Sequence, residues 1–163
     1  MDHKIHEELN KQVANWSLLY TKFHHYHWYV KGSTFFELHS KFEELYREAD
    51  SILDELAERL LSIGGKPAST FPDILAKASI QEATGTESTE QMIKQLVYDF
   101  QQLSGELRDG IAIADEAKDY PTADMLTGVL TKIEKYGWMF ESYIGGKTIT
   151  SIKKRERSLS QRL

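Results

Sequence analysis

The chain has 163 residues, about one domain's worth, with 40% hydrophobic and 28% charged side chains and a formal net charge of −5. It contains no cysteine, which excludes disulfides, thiolate metal sites and cysteine nucleophiles, so a metal site would have to use imidazole and carboxylate. The opening Met1–His6 is polar and no stretch has the length and apolarity of a membrane span, so the expectation is a cytoplasmic protein with no leader and no membrane partner.

Helical periodicity dominates. Ile5, Leu9, Val13, Trp16, Tyr20, Phe23, His27 and Val30 recur every three or four residues and define a first helix, which Gly32 ends. A second helix carries Leu38, Phe42, Leu45, Ala49, Ile52, Leu56, Leu60 and Ile63, and Gly64-Gly65 followed by Pro67 closes it. A connector runs from Lys66 to about Glu87, with Pro72 opening a short helix. Ser88 and Gln91 have capping-box spacing for a third long helix bearing Met92, Leu96, Phe100, Leu103, Leu107, Ile111 and Ala114. Pro121 is expected as the first residue of the fourth, whose stripe is Leu126, Leu130, Ile133, Phe140 and Ile144. Four long helices with one apolar stripe each make an all-α four-helix bundle over residues 1–145. The long link between helices two and three suggests a ferritin-like crossover.

The second helix has a second face. With Leu38 at zero and 100° per residue, its apolar stripe stays within about 40° of zero, while His39, Glu43, Asp54 and Glu58 fall at roughly 100°, 140°, 160° and 200°. His39 and Glu43 form one i, i+4 pair, Asp54 and Glu58 another, and about 22 Å of helix separates them. One chain cannot put both pairs on one ion. Two copies with antiparallel second helices can, in a register that sets His39 against Glu58, Glu43 against Asp54, Phe36 against Leu61 and Arg47 against Asp50. Taken singly each is an ordinary exposed polar residue. Together with His27 they form a nitrogen and oxygen set suited to Fe(II), Mn or Zn. No His has Glu three residues before it, so the Glu-x-x-His motif of an intrasubunit di-iron site is absent.

The segments His27-Trp28-Tyr29-Val30-Lys31-Gly32, Phe35-Phe36-Glu37-Leu38-His39, Glu44-Leu45-Tyr46, Asp54–Leu60 and Gly64-Gly65-Lys66-Pro67, with Trp138-Met139, resemble the signature of the Dps (DNA protection during starvation) mini-ferritins over roughly residues 5–145. The resemblance implies a ferritin-like four-helix bundle with a short helix in the crossover between helices two and three. It implies a hollow shell of twelve subunits, with a ferroxidase centre of about two irons between subunits across a two-fold interface through the second helix. His27 and His39 would come from one chain, Asp54 and Glu58 from its partner; Glu43 stands where relatives commonly carry Asp and would serve the second iron. Fe(II) would be oxidised, preferably by hydrogen peroxide, and stored as Fe(III) mineral. Trp28, otherwise a core or interface aromatic, would quench stray oxidising equivalents.

Asp115, Glu116, Asp119 and Asp124 gather around the start of the fourth helix, where acids suit a helix N-terminus. In the resembled family this region lines an iron-entry pore, which singles out Asp115, Asp119 and Asp124. His3, His6, His24 and His25 are read as unliganded. Residues 146–163 hold six basic side chains (Lys147, Lys153, Lys154, Arg155, Arg157, Arg162) against Glu156, leaving the body at −10. Such a tail is either solubilising or a non-specific contact for double-stranded DNA phosphates, which would place the protein at the nucleoid.

Overall fold

The computed structural model describes residues 3–145, which form α1 (His3–Tyr29), α2 (Phe35–Ser62), the short α3 (Phe71–Lys77), α4 (Thr89–Glu116) and α5 (Tyr120–Tyr143), with no strand among them. The basic segment expected to bind DNA (Lys147, Lys153, Lys154, Arg155, Arg157 and Arg162) lies outside the described residues. No helix among the described residues is long and apolar enough to cross a membrane.

Cross-helix bonds fix the topology. His6 Nε2 meets the Ile63 carbonyl, and Lys22 meets Asp99, so α1 is antiparallel to both α2 and α4. Glu48 takes Lys132 and the Tyr136 hydroxyl, Arg59 takes Thr122, and Gln101 takes Glu141, so α5 is antiparallel to both α2 and α4. The ring order is therefore α1, α2, α5, α4, with α2 and α4 parallel on a diagonal. Consecutive parallel helices need a connection as long as the bundle, and this is the physical reason for the long link between them. The expected α2 stripe from Leu38 to Ile63 is buried at every position.

Each turn has a local cause. Gly32 and Gly64 adopt φ of +101° and +86°, a region side chains avoid. Gly65 is needed for a different reason: a Cβ there would overlap the Leu60 side chain. The Ser88–Gln91 capping box is formed in both directions, and Thr70 caps α3 ahead of Pro72. One boundary shifts: α5 starts at Tyr120 with Asp119 as its N-cap, so Pro121 occupies the second helical position rather than the first. The Asp119 side chain, by accepting the Thr122 N–H, sets the cap one residue earlier.

The core also contains polar groups that apolar periodicity does not reveal. Asn15 is fully buried; its carbonyl accepts the Ser79 and Ile80 N–H groups, and its amide donates to Ser79 Oγ and Glu106. This pins the crossover to α1 and α4. Lys22 and Asp99 form an ion pair of 2.6 Å with both side chains essentially inaccessible. Burial pushes the Asp99 carboxyl up, opposed by the Lys22 ammonium and by the Gln95 amide. Asp99→Ala is expected to cost about 3–5 kcal/mol by stranding the ammonium, whereas Lys22→Met with Asp99→Leu should restore wild-type stability or exceed it. Denaturant midpoints at fixed protein concentration check both.

Candidate metal centre

His27 lies in the last turn of α1 and His39 in the second turn of α2. The left-handed Gly32 folds the chain back between them. His27 Nδ1 lies 2.8 Å from the His39 carbonyl, and His39 Nδ1 lies 2.8 Å from the His27 carbonyl. A carbonyl only accepts, so each Nδ1 carries a proton and donates it, which leaves Nε2 as the ring nitrogen facing away from that bond. The rings stack, with centroids 3.7 Å apart and 19° between planes. Phe35 stacks on His39 and Tyr46 stands edge-on to His27. Two imidazoles are thus held with Nδ1 engaged by a backbone carbonyl and Nε2 left over, the support that metal-binding histidines require.

Glu43 stands one turn beyond His39 on the same exposed side, bound by Arg47, whose Nη2 and Nε lie 2.5 Å and 3.2 Å from the same Oε1. The Arg47 hydrogen bond and charge hold the Glu43 carboxyl below its ordinary range, and the two imidazoles add to this. Asp54 and Glu58 are exposed further along α2. Among the described residues, no three His, Cys, Asp or Glu come together to hold a metal. The structure therefore brings His27 and His39 together beside Glu43 and leaves Asp54 and Glu58 at the other end of the same helix face. Between and beyond them this face carries Phe36, Arg47, Asp50 and Leu61, all exposed; Phe36 is 79% and Leu61 58% accessible, a high value for such apolar side chains.

Several neighbours escaped the sequence reading. The Glu43–Arg47 pair has i, i+4 spacing, a signal that was there to find. His24 stacks on Tyr46 at 3.8 Å between ring centroids, donates its Nδ1–H to the Tyr20 carbonyl, and sits 5.3 Å from Trp28. Trp28 itself is 66% exposed. Asp115 and Asp124 are exposed near the α4–α5 turn. Asp119 is differently placed: it accepts the Thr122 N–H and hydroxyl and pairs with Arg59 Nη2 at 2.6 Å.

The bundle, its diagonal crossover and the imidazole pair define a ferritin-like protein, and the ferritin-like domain model matches residues 6–148. DNA protection during starvation protein 2 of Bacillus anthracis is 47% identical over 144 residues, 88% of this chain and 99% of that protein. The crystal structure of Dps from Staphylococcus aureus superposes with a TM-score of 0.87 at 47% identity, covering 88% of this chain and 97% of that one. A Listeria innocua Dps soaked with zinc gives 0.84 at 41% identity, covering 86% and 96%. This chain belongs to the Dps family.

The Asp119 cap has a pH signature. Burial raises its carboxyl pKa, but the Thr122 hydroxyl and N–H and the Arg59 charge outweigh burial and hold it below the ordinary value. A depressed carboxylate stabilises the fold above its unfolded pKa and loses that contribution as pH falls through the folded one. Asp119→Ala should therefore cost about 1–2 kcal/mol at pH 7 and progressively less below pH about 4. Denaturation of both proteins across that range at fixed protein concentration checks it.

Proposed function

We propose that this protein oxidises Fe(II) at a centre shared by two copies of the chain and stores the product as ferric mineral inside a shell of twelve. The observation that carries this reading is the division of the ligand set. His27 and His39 are pre-set as a pair at one end of the exposed α2 face, and Asp54 and Glu58 stand at the other, out of reach within one chain. An antiparallel second copy brings Asp54 and Glu58 of the partner subunit to His39 and Glu43 and closes two equivalent centres at once. Neutral imidazole and carboxylate suit Fe(II). With two irons in a centre, each gives up one electron to a single hydrogen peroxide; the O–O bond breaks to two hydroxides and no hydroxyl radical is released. The carboxylates offset the added charge as Fe(II) becomes Fe(III).

Asp115 and Asp124 would draw cations inward through an entry pore by focused negative potential. Asp119 would support that pore through Arg59 and the α5 cap rather than as an open carboxylate. Trp28, exposed near His27, would supply an electron to any oxidant that escapes the centre. The protein would act in the cytoplasm, in the protective role that its relatives' names state.

A second reading adds DNA. The body carries about −10 and would be repelled by phosphates, while residues 146–163 carry six basic side chains against one acid. Twelve such tails on one particle would multiply a weak contact and place the protein at the nucleoid.

For the ferroxidase, peroxide added anaerobically in small steps to the Fe(II)-loaded protein is expected to give fast ferric absorbance and iron retained in a large particle. Asp54→Asn with Glu58→Gln should slow this by about 10–100-fold, and equal rates would reduce the face to a structural interface. For DNA, truncation after Gly145 should abolish gel retardation at low salt; retardation that survives truncation removes the tail from the mechanism.

A further inference from the structure

The α2 face contains one cation whose place in the subunit conflicts with metal binding. Arg47 puts both Nε and Nη2 on Glu43 Oε1, the carboxylate that stands one turn from His39. A guanidinium on that oxygen competes directly with a metal ion for it. The pair is at the surface: the Arg47 side chain is 70% exposed and that of Glu43 40%. Exposed pairs of this kind are weak and easily exchanged for a better partner.

A better partner is at hand in the antiparallel register described above. There Arg47 faces Asp50 of the partner subunit, close to the two-fold axis, while Glu43 faces Asp54 of the partner subunit and Phe36 faces Leu61 of the partner subunit. Asp50 is exposed and pointed at solvent on this face. If Arg47 stayed on Glu43 after pairing, the two Asp50 carboxylates would approach each other near the axis without a counter-ion, in a setting drier than the free surface. Moving each Arg47 to Asp50 of the partner subunit leaves two guanidinium–carboxylate pairs, charge-balanced about the axis, and uncovers both Glu43 carboxylates together.

We propose that Arg47 is a positioning residue that passes from Glu43 to Asp50 of the partner subunit when two copies pair, so that Glu43 becomes a metal ligand only in the assembled protein. This rests on the shared centre of the preceding section. An unpaired subunit then holds its second ligand position closed, and iron chemistry begins only where a partner surrounds it.

The test uses Zn(II), which is redox-inert, titrated calorimetrically into the full-length metal-free protein, with assembly followed by sedimentation. The assembled wild type is expected to bind about two ions per centre, one strongly and one less so. Asp50→Asn should leave the first ion in place and weaken the second by about 10–100-fold, because Arg47 remains on Glu43. Arg47→Gln added to Asp50→Asn should restore the second ion. Unchanged binding in an assembled Asp50→Asn protein, or failure of Arg47→Gln to restore it, overturns the hand-over. If Asp50→Asn prevents pairing, Arg47→Gln alone decides: retention of the second ion in assembled protein fits the hand-over, and its loss overturns it by making the guanidinium itself a support of the site. His39→Ala separates this from the underlying reading, since Zn(II) binding indifferent to His39 would remove the shared centre altogether.

Discussion

Helix α2 must satisfy two environments at once, and the rest of the molecule is arranged around that requirement. One side, Leu38 to Leu60 at helical spacing, is fully buried and supplies much of the hydrophobic driving force of the bundle. The opposite side carries Phe36, Glu43, Arg47, Asp50, Asp54 and Leu61 into solvent. A helix with this division cannot turn about its axis without burying charge and exposing leucine, so its outer face is held in a fixed direction. The bundle acts as a rigid mount for the row of charged and apolar side chains on that outer face.

Most of this was legible from the sequence because it rests on periodicity. The α2 stripe, the capping box at Ser88 and the turn at Gly64-Gly65 are local rules, and the structure follows them. Spacing alone also separated His39 and Glu43 from Asp54 and Glu58, since helix rise is a constant. The resemblance to a family supplied the expectation that His27 acts with His39, since helical geometry placed it only at the end of α1.

What the sequence concealed is long-range and polar. Nothing local distinguishes Lys22 from a surface lysine; it is buried because Asp99, on a helix far along the chain, meets it inside. Asn15 reads as a solvent residue until the crossover lays the Ser79 and Ile80 amides against it. The same limit applied to Asp119. Three acids in a short stretch look alike, yet this one is withdrawn into an α5 cap by Thr122 and Arg59. Tertiary partners, rather than residue type, decide which charges are available.

The two histidines are thermodynamically a single element. His27 belongs to the end of α1, where carbonyls lack intrahelical partners, and its carbonyl is taken by the ring of His39. The ring of His27 in turn holds the His39 carbonyl. Each ring is therefore oriented by the backbone of the other, and each side chain closes the turn that carries both. The entropy of aligning two imidazoles is met during folding. Losing either ring would free the other and loosen the α1–α2 turn, so the orientation of the rings and the order of that turn are one property measured in two ways.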